Sequence, residues 1–101
     1  MNLQSDHPVS DGTYRIVSLV NDQRVGVAHP HTPQVHTGNA LRTEWEVRFN
    51  LETRHYIIHE RNGDRRVLDL ERALPDPGTR IITYSHHGNE NQQWHLFGTQ
   101  E

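Results

Sequence analysis

Cysteine is absent from the chain, which excludes disulfides and thiolate metal sites and is compatible with a reducing compartment. Lysine is absent too. All ten basic residues are arginine, and thirteen acidic residues leave a formal net charge of −3. With an acidic balance and no long basic run, nucleic acid is not an expected partner. No apolar run exceeds a few residues, so neither membrane insertion nor the apolar stretch of a secretory leader is expected. The matching expectation is a cytoplasmic protein whose release would be unconventional. Apolar residues are scarce at 32%, so a compact fold must place them efficiently. Two Trp and three Tyr matter here, because aromatics bury the most area per residue. No stretch has helical periodicity.

What is present is a pattern traced twice. Tyr14 opens one copy and Trp45 closes it; Tyr56 opens a second and Trp94 closes it. An internal repeat of about forty residues constrains architecture before any local signal does. Within each copy, short period-two stretches rich in β-branched and aromatic residues read as strands. In the first they are Thr13 onward, Val25–Val27, Gln34–Thr37 and Thr43–Phe49. In the second they are Arg54–Glu60, Val67–Leu70, Thr79–Tyr84 and Gln92–Phe97. Asn62-Gly63-Asp64 reads as a hairpin turn, because Asn-Gly readily takes positive φ. His29-Pro30-His31-Thr32-Pro33 reads as a loop, since two prolines so close cannot serve a central ladder. Residues 1–10 are polar and without period, and read as a flexible arm before one domain over 11–101. About eight short strands with regular turns predict an all-β barrel or sandwich.

The order Val67-Leu68-Asp69-Leu70, Gly78-Thr79-Arg80-Ile81, Tyr84, His87-Gly88 and Asn91-Gln92-Gln93-Trp94 resembles one repeat of the ricin-B-type β-trefoil lectins, most closely the fungal members. Gln92-x-Trp94 matches that family's Q-x-W signature. Gly12-Thr13-Tyr14-Arg15-Ile16-Val17 is similar to the start of such a domain. The resemblance implies an all-β, β-trefoil-like fold of two four-stranded repeats, over 12–50 and 53–98. A trefoil has three, so this one is incomplete, and self-association is the favoured way to cover its exposed edges.

It also implies a non-catalytic lectin that binds glycans or glycoproteins without a cofactor. Carried over by position, Asp69 accepts hydrogen bonds from sugar hydroxyls, Tyr84 stacks on the sugar's C–H face, and Asn91 adds donors and acceptors. Gln92 supports Asn91 or touches the sugar, and His87 is a lesser candidate. These residue types suit a sugar, because charged acceptors make the stronger hydrogen bonds and tyrosine is a flat platform of low entropic cost. Asp69 stands between Leu68 and Leu70; if both leucines face the core, its carboxylate faces solvent. Trp45 and Trp94 are expected in the core, and Gln92 is expected to satisfy backbone groups of the preceding loop. The first copy puts Gly26 at the Asp69 position, Thr43 at the Gln92 position and no aromatic at the platform, so one site per chain is expected. Such a site binds weakly, with a dissociation constant of about a millimolar, and several chains held together would add avidity.

Three other readings compete. His29, His31 and His36, or His86 and His87, could hold a metal, but Pro30 interrupts the first pair and no clear carboxylate orienter follows. Glu44 and Glu46 share a strand face, but a glycosidase needs two carboxylates across a cleft. Ser85 beside His86 is no triad by adjacency alone. A β-trefoil protease inhibitor would act through the loops Ala28–Pro33 and Arg72–Gly78, with Arg72 or Arg80 entering an acidic specificity pocket. Nine histidines would also turn the net charge positive near a pH of about 5.

Overall fold

The structure, a computed structural model, describes residues 8–28, 32–61 and 65–97. Seven strands follow in chain order: β1 (Gly12–Tyr14), β2 (Arg24–Ala28), β3 (Thr32–Gly38), β4 (Trp45–Asn50), β5 (His55–Glu60), β6 (Arg66–Leu70) and β7 (Ile81–Ser85). They form one antiparallel sheet in the order β1-β4-β5-β6-β7-β3-β2. Two single 3-10 turns, Glu71–Ala73 and Glu90–Gln92, complete it, and no α-helix occurs among the described residues. The all-β expectation therefore holds.

Alternation explains the centre of the sheet. β4 and β5 pair over six residues. Trp45 and Val47 point inward from β4, while Tyr56 and Ile58 do so from β5. Val9, Val35, Phe49, Leu68, Trp94 and Leu96 pack around that cluster. Phe49 meets Tyr56 edge-on at 5.1 Å between ring centroids, an arrangement favoured by the ring quadrupoles. The strands turn through residues 51–54, where the Asn50 carboxamide oxygen accepts from the Glu52 and Thr53 amides at 2.8 and 3.1 Å.

The two Tyr–Trp pairs make matching contacts. Tyr14 lies opposite Trp45 in the β1–β4 ladder, and Tyr56 lies opposite Trp94 in an isolated bridge. The Trp45 indole N–H donates to the Val25 carbonyl at 3.0 Å. The Trp94 indole N–H donates to the Leu68 carbonyl at 3.2 Å. Val25 and Leu68 thus hold corresponding places, and so do Gly26 and Asp69 one residue on.

Several local expectations change. The described part of the arm is anchored: Val9 is half-buried, and the Tyr56 hydroxyl accepts from its amide at 2.9 Å and donates to its carbonyl at 2.5 Å. A buried phenol needs such partners, and the chain before β1 supplies them. β3 begins at Thr32 and includes Pro33, which was expected in a loop; the β2–β3 register shifts between Gly26 and Ala28, so the proline lies at a bulge, where a missing N–H is tolerated. The last expected strand, 92–97, reduces to the single Trp94 bridge. Gln92 belongs to a 3-10 turn and directs its side chain inward, which leaves Trp94 to make both backbone bonds to Tyr56, at 2.8 and 2.9 Å. His29, His31 and the turn at Asn62–Asp64 lie outside the described residues.

Candidate functional site

The β6–β7 hairpin and the Glu90–Gln92 turn enclose a cleft of about 330 Å³, lined by Asp69, Glu71, Arg72, Ile82, Tyr84, His87 and Asn91. Ladder pairing assembles it. Asp69 is opposite Ile82, and two further steps along β7 carry Tyr84 to the rim. The 3-10 turn then returns the chain over β6 and brings Asn91 and Gln92 against Asp69.

Asp69 does not face solvent. It is 2% exposed, on the face of β6 that it shares with buried Val67, while Leu68 and Leu70 are half-buried on the other face. Leu68 packs on the core cluster as expected; the burial of Asp69 on the opposite face has a physical cause. A buried carboxylate must be hydrogen-bonded, and the turn supplies the donors. Asn91 Nδ2 donates to Asp69 Oδ1 at 3.1 Å, and Gln92 Nε2 donates to Oδ2 at 2.8 Å. Neither Arg66 nor Arg80 is its partner. Arg66 donates to the Thr83 hydroxyl and carbonyl at 3.3 and 2.8 Å, and Arg80 holds Glu71 through two bonds of 2.9 and 2.7 Å.

Gln92 is fully buried and supports the preceding loop as expected. Its oxygen accepts from the His87 and Gly88 amides at 2.9 and 3.0 Å, and its Nε2 also donates to the Ser85 carbonyl at 3.0 Å. The loop after β7 is thereby fixed to the floor of the cleft. Asn91 also donates from Nδ2 to the Leu70 carbonyl at 3.2 Å. With both Nδ2 hydrogens engaged, its carbonyl oxygen is the group it can offer a ligand. Each Asp69 oxygen likewise keeps accepting capacity beyond one amide bond.

Tyr84 is 52% exposed at the rim, with the His87 ring 6.2 Å away between centroids. The Asn89 amide donates to His87 Nδ1 at 3.0 Å. In the neutral ring the proton therefore sits on Nε2, which lies 3.8 Å from Asp69 Oδ2. On the opposite wall, hydrogen bonds from Arg80, aided by its positive charge, hold the Glu71 carboxyl below its ordinary pKa, and the same pairing raises the Arg80 guanidinium.

The structure thus brings Asp69, Tyr84, Asn91 and His87 together around one cleft, with Gln92 beneath it. Sequence reasoning did not single out Glu71 or Arg72 as lining residues. Glu71 could have been found by period two from Asp69; Ile82 stands where the resembled lectins often carry a polar residue, and hairpin register places it opposite Asp69.

The corresponding place in the first copy has other chemistry. A Cβ on Gly26 would lie 2.3 Å from Thr43 Oγ1, and that hydroxyl accepts from the Val27 amide at 3.0 Å. A hydroxyl pressed on a bare backbone replaces the carboxylate–carboxamide pair. Glu44 is bonded to Arg61 at 3.1 Å, and Glu46 is paired with Arg48.

No family model matches the chain, and no solved structure matches it. Two curated proteins do: the main hemagglutinin component type C of Clostridium botulinum C phage and the main hemagglutinin component type D of Clostridium botulinum D phage. Each is 33% identical over 57 residues, a stretch that covers 55% of this chain and 20% of the relative. The chain spans about a fifth of the length of the curated relatives it matches.

Proposed function

We propose that this protein binds carbohydrate without catalysis, through one site on its second repeat. The observation that carries the reading is the cleft at the β6–β7 hairpin. A carboxylate positioned by two carboxamides lies at its floor, and an exposed phenol ring stands at its rim. A sugar presents hydroxyl donors on some faces and C–H patches on others. Asp69 and the Asn91 carbonyl accept from the hydroxyls, Tyr84 covers the apolar face, and His87 Nε2–H donates at the edge. Gln92 acts through Asp69 and the loop rather than by touching the sugar. Two relatives that bear the name hemagglutinin component fit this reading.

The architecture that goes with it is a ricin-B-type β-trefoil lacking one repeat, with units over 12–50 and 53–98. Its support is the recurrence of the Tyr–Trp pairings and of the indole bonds to Val25 and Leu68. β1 is an edge strand of the sheet, and Tyr14, Ile16, Val17, Leu19 and Val20, in and after it, are exposed. Association of copies through this region would cover them and multiply a weak site. A light-scattering mass at least twice that of the chain is expected; a monomer at high concentration would refute the association.

The protease-inhibitor reading keeps Arg72, which is exposed on a left-handed turn with φ 57°. Arg80 is engaged by Glu71. A glycan array of wild type and Tyr84→Ala separates the readings. Glycan binding that disappears in Tyr84→Ala supports the lectin. Absence of glycan binding together with inhibition of trypsin that is lost in Arg72→Ala would replace it.

A further inference from the structure

We propose that His55 and His95 form a two-histidine site for a divalent transition ion of the zinc group. The site lies on the face of the sheet away from the core. Tyr56 and Trp94 form the last bridge between β5 and the C-terminal segment. One residue outward from that bridge on each chain stand His55 and His95, whose Nε2 atoms are 3.2 Å apart. Zinc–imidazole bonds of about 2.0–2.1 Å at a tetrahedral angle put neighbouring nitrogens about 3.3 Å apart. The hydrogen-bonded Nε2 pair therefore already has the separation of a tetrahedron's edge, and a small rotation of the exposed His95 ring would aim both nitrogens at one ion.

The rings are also held in place. His55 and His95 meet edge-on with centroids 4.4 Å apart, and Phe97 stacks on His95 at 5.2 Å with an interplanar angle of 24°. Imidazole nitrogen suits zinc, nickel and copper, in contrast to the oxygen ligands that magnesium and calcium require. No group of three or more His, Cys, Asp or Glu side chains that could hold a metal converges among the described residues. The ion would thus have two protein ligands and open positions filled by water or by a group on a bound molecule.

The second ring nitrogen limits the affinity. Metal on Nε2 places the remaining proton on Nδ1, and His55 Nδ1 is buried with no hydrogen-bond partner. A buried donor left unmatched weakens whatever requires it, so micromolar rather than nanomolar binding is expected. The pair differs from the cleft residues and does not depend on what the cleft binds.

The test is calorimetric titration of zinc chloride into the full chain, above a pH of about 7, where imidazoles are neutral. Wild type should bind one ion per chain, with the imidazole NMR signals of His55 and His95 shifting first. His95→Gln, at an exposed position, should weaken binding at least about tenfold, with a thermal melt confirming that the variant is folded. His55→Gln should do the same, while His36→Gln, on β3, should bind as wild type does. Equal zinc affinity in wild type and folded His95→Gln, or no zinc binding by wild type, would overturn the proposal.

Discussion

Removing the Asp69 carboxylate would leave two amide donors, Asn91 Nδ2 and Gln92 Nε2, without the acceptor they share. Stranding a buried donor costs about 1–3 kcal/mol, so Asp69→Ala should lower unfolding stability by about that much, read by urea denaturation. Loss of glycan binding in that variant would confound recognition with folding. Tyr84 is the cleaner probe. It is half exposed at the rim, so Tyr84→Ala should change stability by no more than about 0.5 kcal/mol while abolishing binding. Gly26 makes the complementary point in the first copy. A Cβ there meets Thr43 Oγ1 at 2.3 Å and Thr43 Cβ at 2.6 Å. Gly26→Ala should cost about 1–3 kcal/mol through overpacking. Gly26→Asp should therefore destabilise the fold without creating a second site.

Among the elements, the β4–β5 hairpin was the most legible, because Trp45 and Val47 alternate with polar neighbours, Tyr56 and Ile58 keep the same period with Ile57 between them, and all four point inward. The β6 strand was legible in position and in its core-facing Leu68, but not in the burial of Asp69. The leucines put Asp69 on the other face, where it is covered by carboxamides 22 and 23 residues further along the chain. Nothing local records that. The same separation hides the end of the chain, where an apparent strand becomes a turn because Gln92 is needed inside. That the candidate residues gather at one cleft was legible from their order and spacing; how deeply each is buried was not. The anchoring of Val9 was not legible, because a polar stretch gives no sign that its backbone will bind a tyrosine 47 residues away. Tyr56→Phe tests that contact. It removes both bonds to Val9, and should lower stability by about 1–2 kcal/mol and speed hydrogen exchange at the Val9 amide.

At the level of the whole molecule, His59 couples the fold to acidity. Partial burial lowers its pKa most, the nearby His86 ring and the Arg48 guanidinium lower it further, and Glu46 opposes them. His86 packs edge-on to His59 at 5.5 Å and continues directly into His87 at the cleft. The folded chain therefore refuses a proton at His59 that the unfolded chain accepts near the ordinary value of 6.5. In that window the unfolded state binds more protons, so stability rises with pH. The contribution is complete above the unfolded value, is lost as pH falls below it, and stops changing once the folded pKa is passed. Glu71 acts in the same sense at lower pH: its pairing with Arg80 favours the folded state above the carboxylate's ordinary value and is lost as that group is protonated. The expected outcome is a Tm that falls when the protein is taken from a pH of about 7 to about 5, with a shallower fall in His59→Gln. An unchanged slope in a folded His59→Gln would assign the acid sensitivity to other groups. A wild-type Tm that rose on acidification would contradict the sign derived from the burial of that ring.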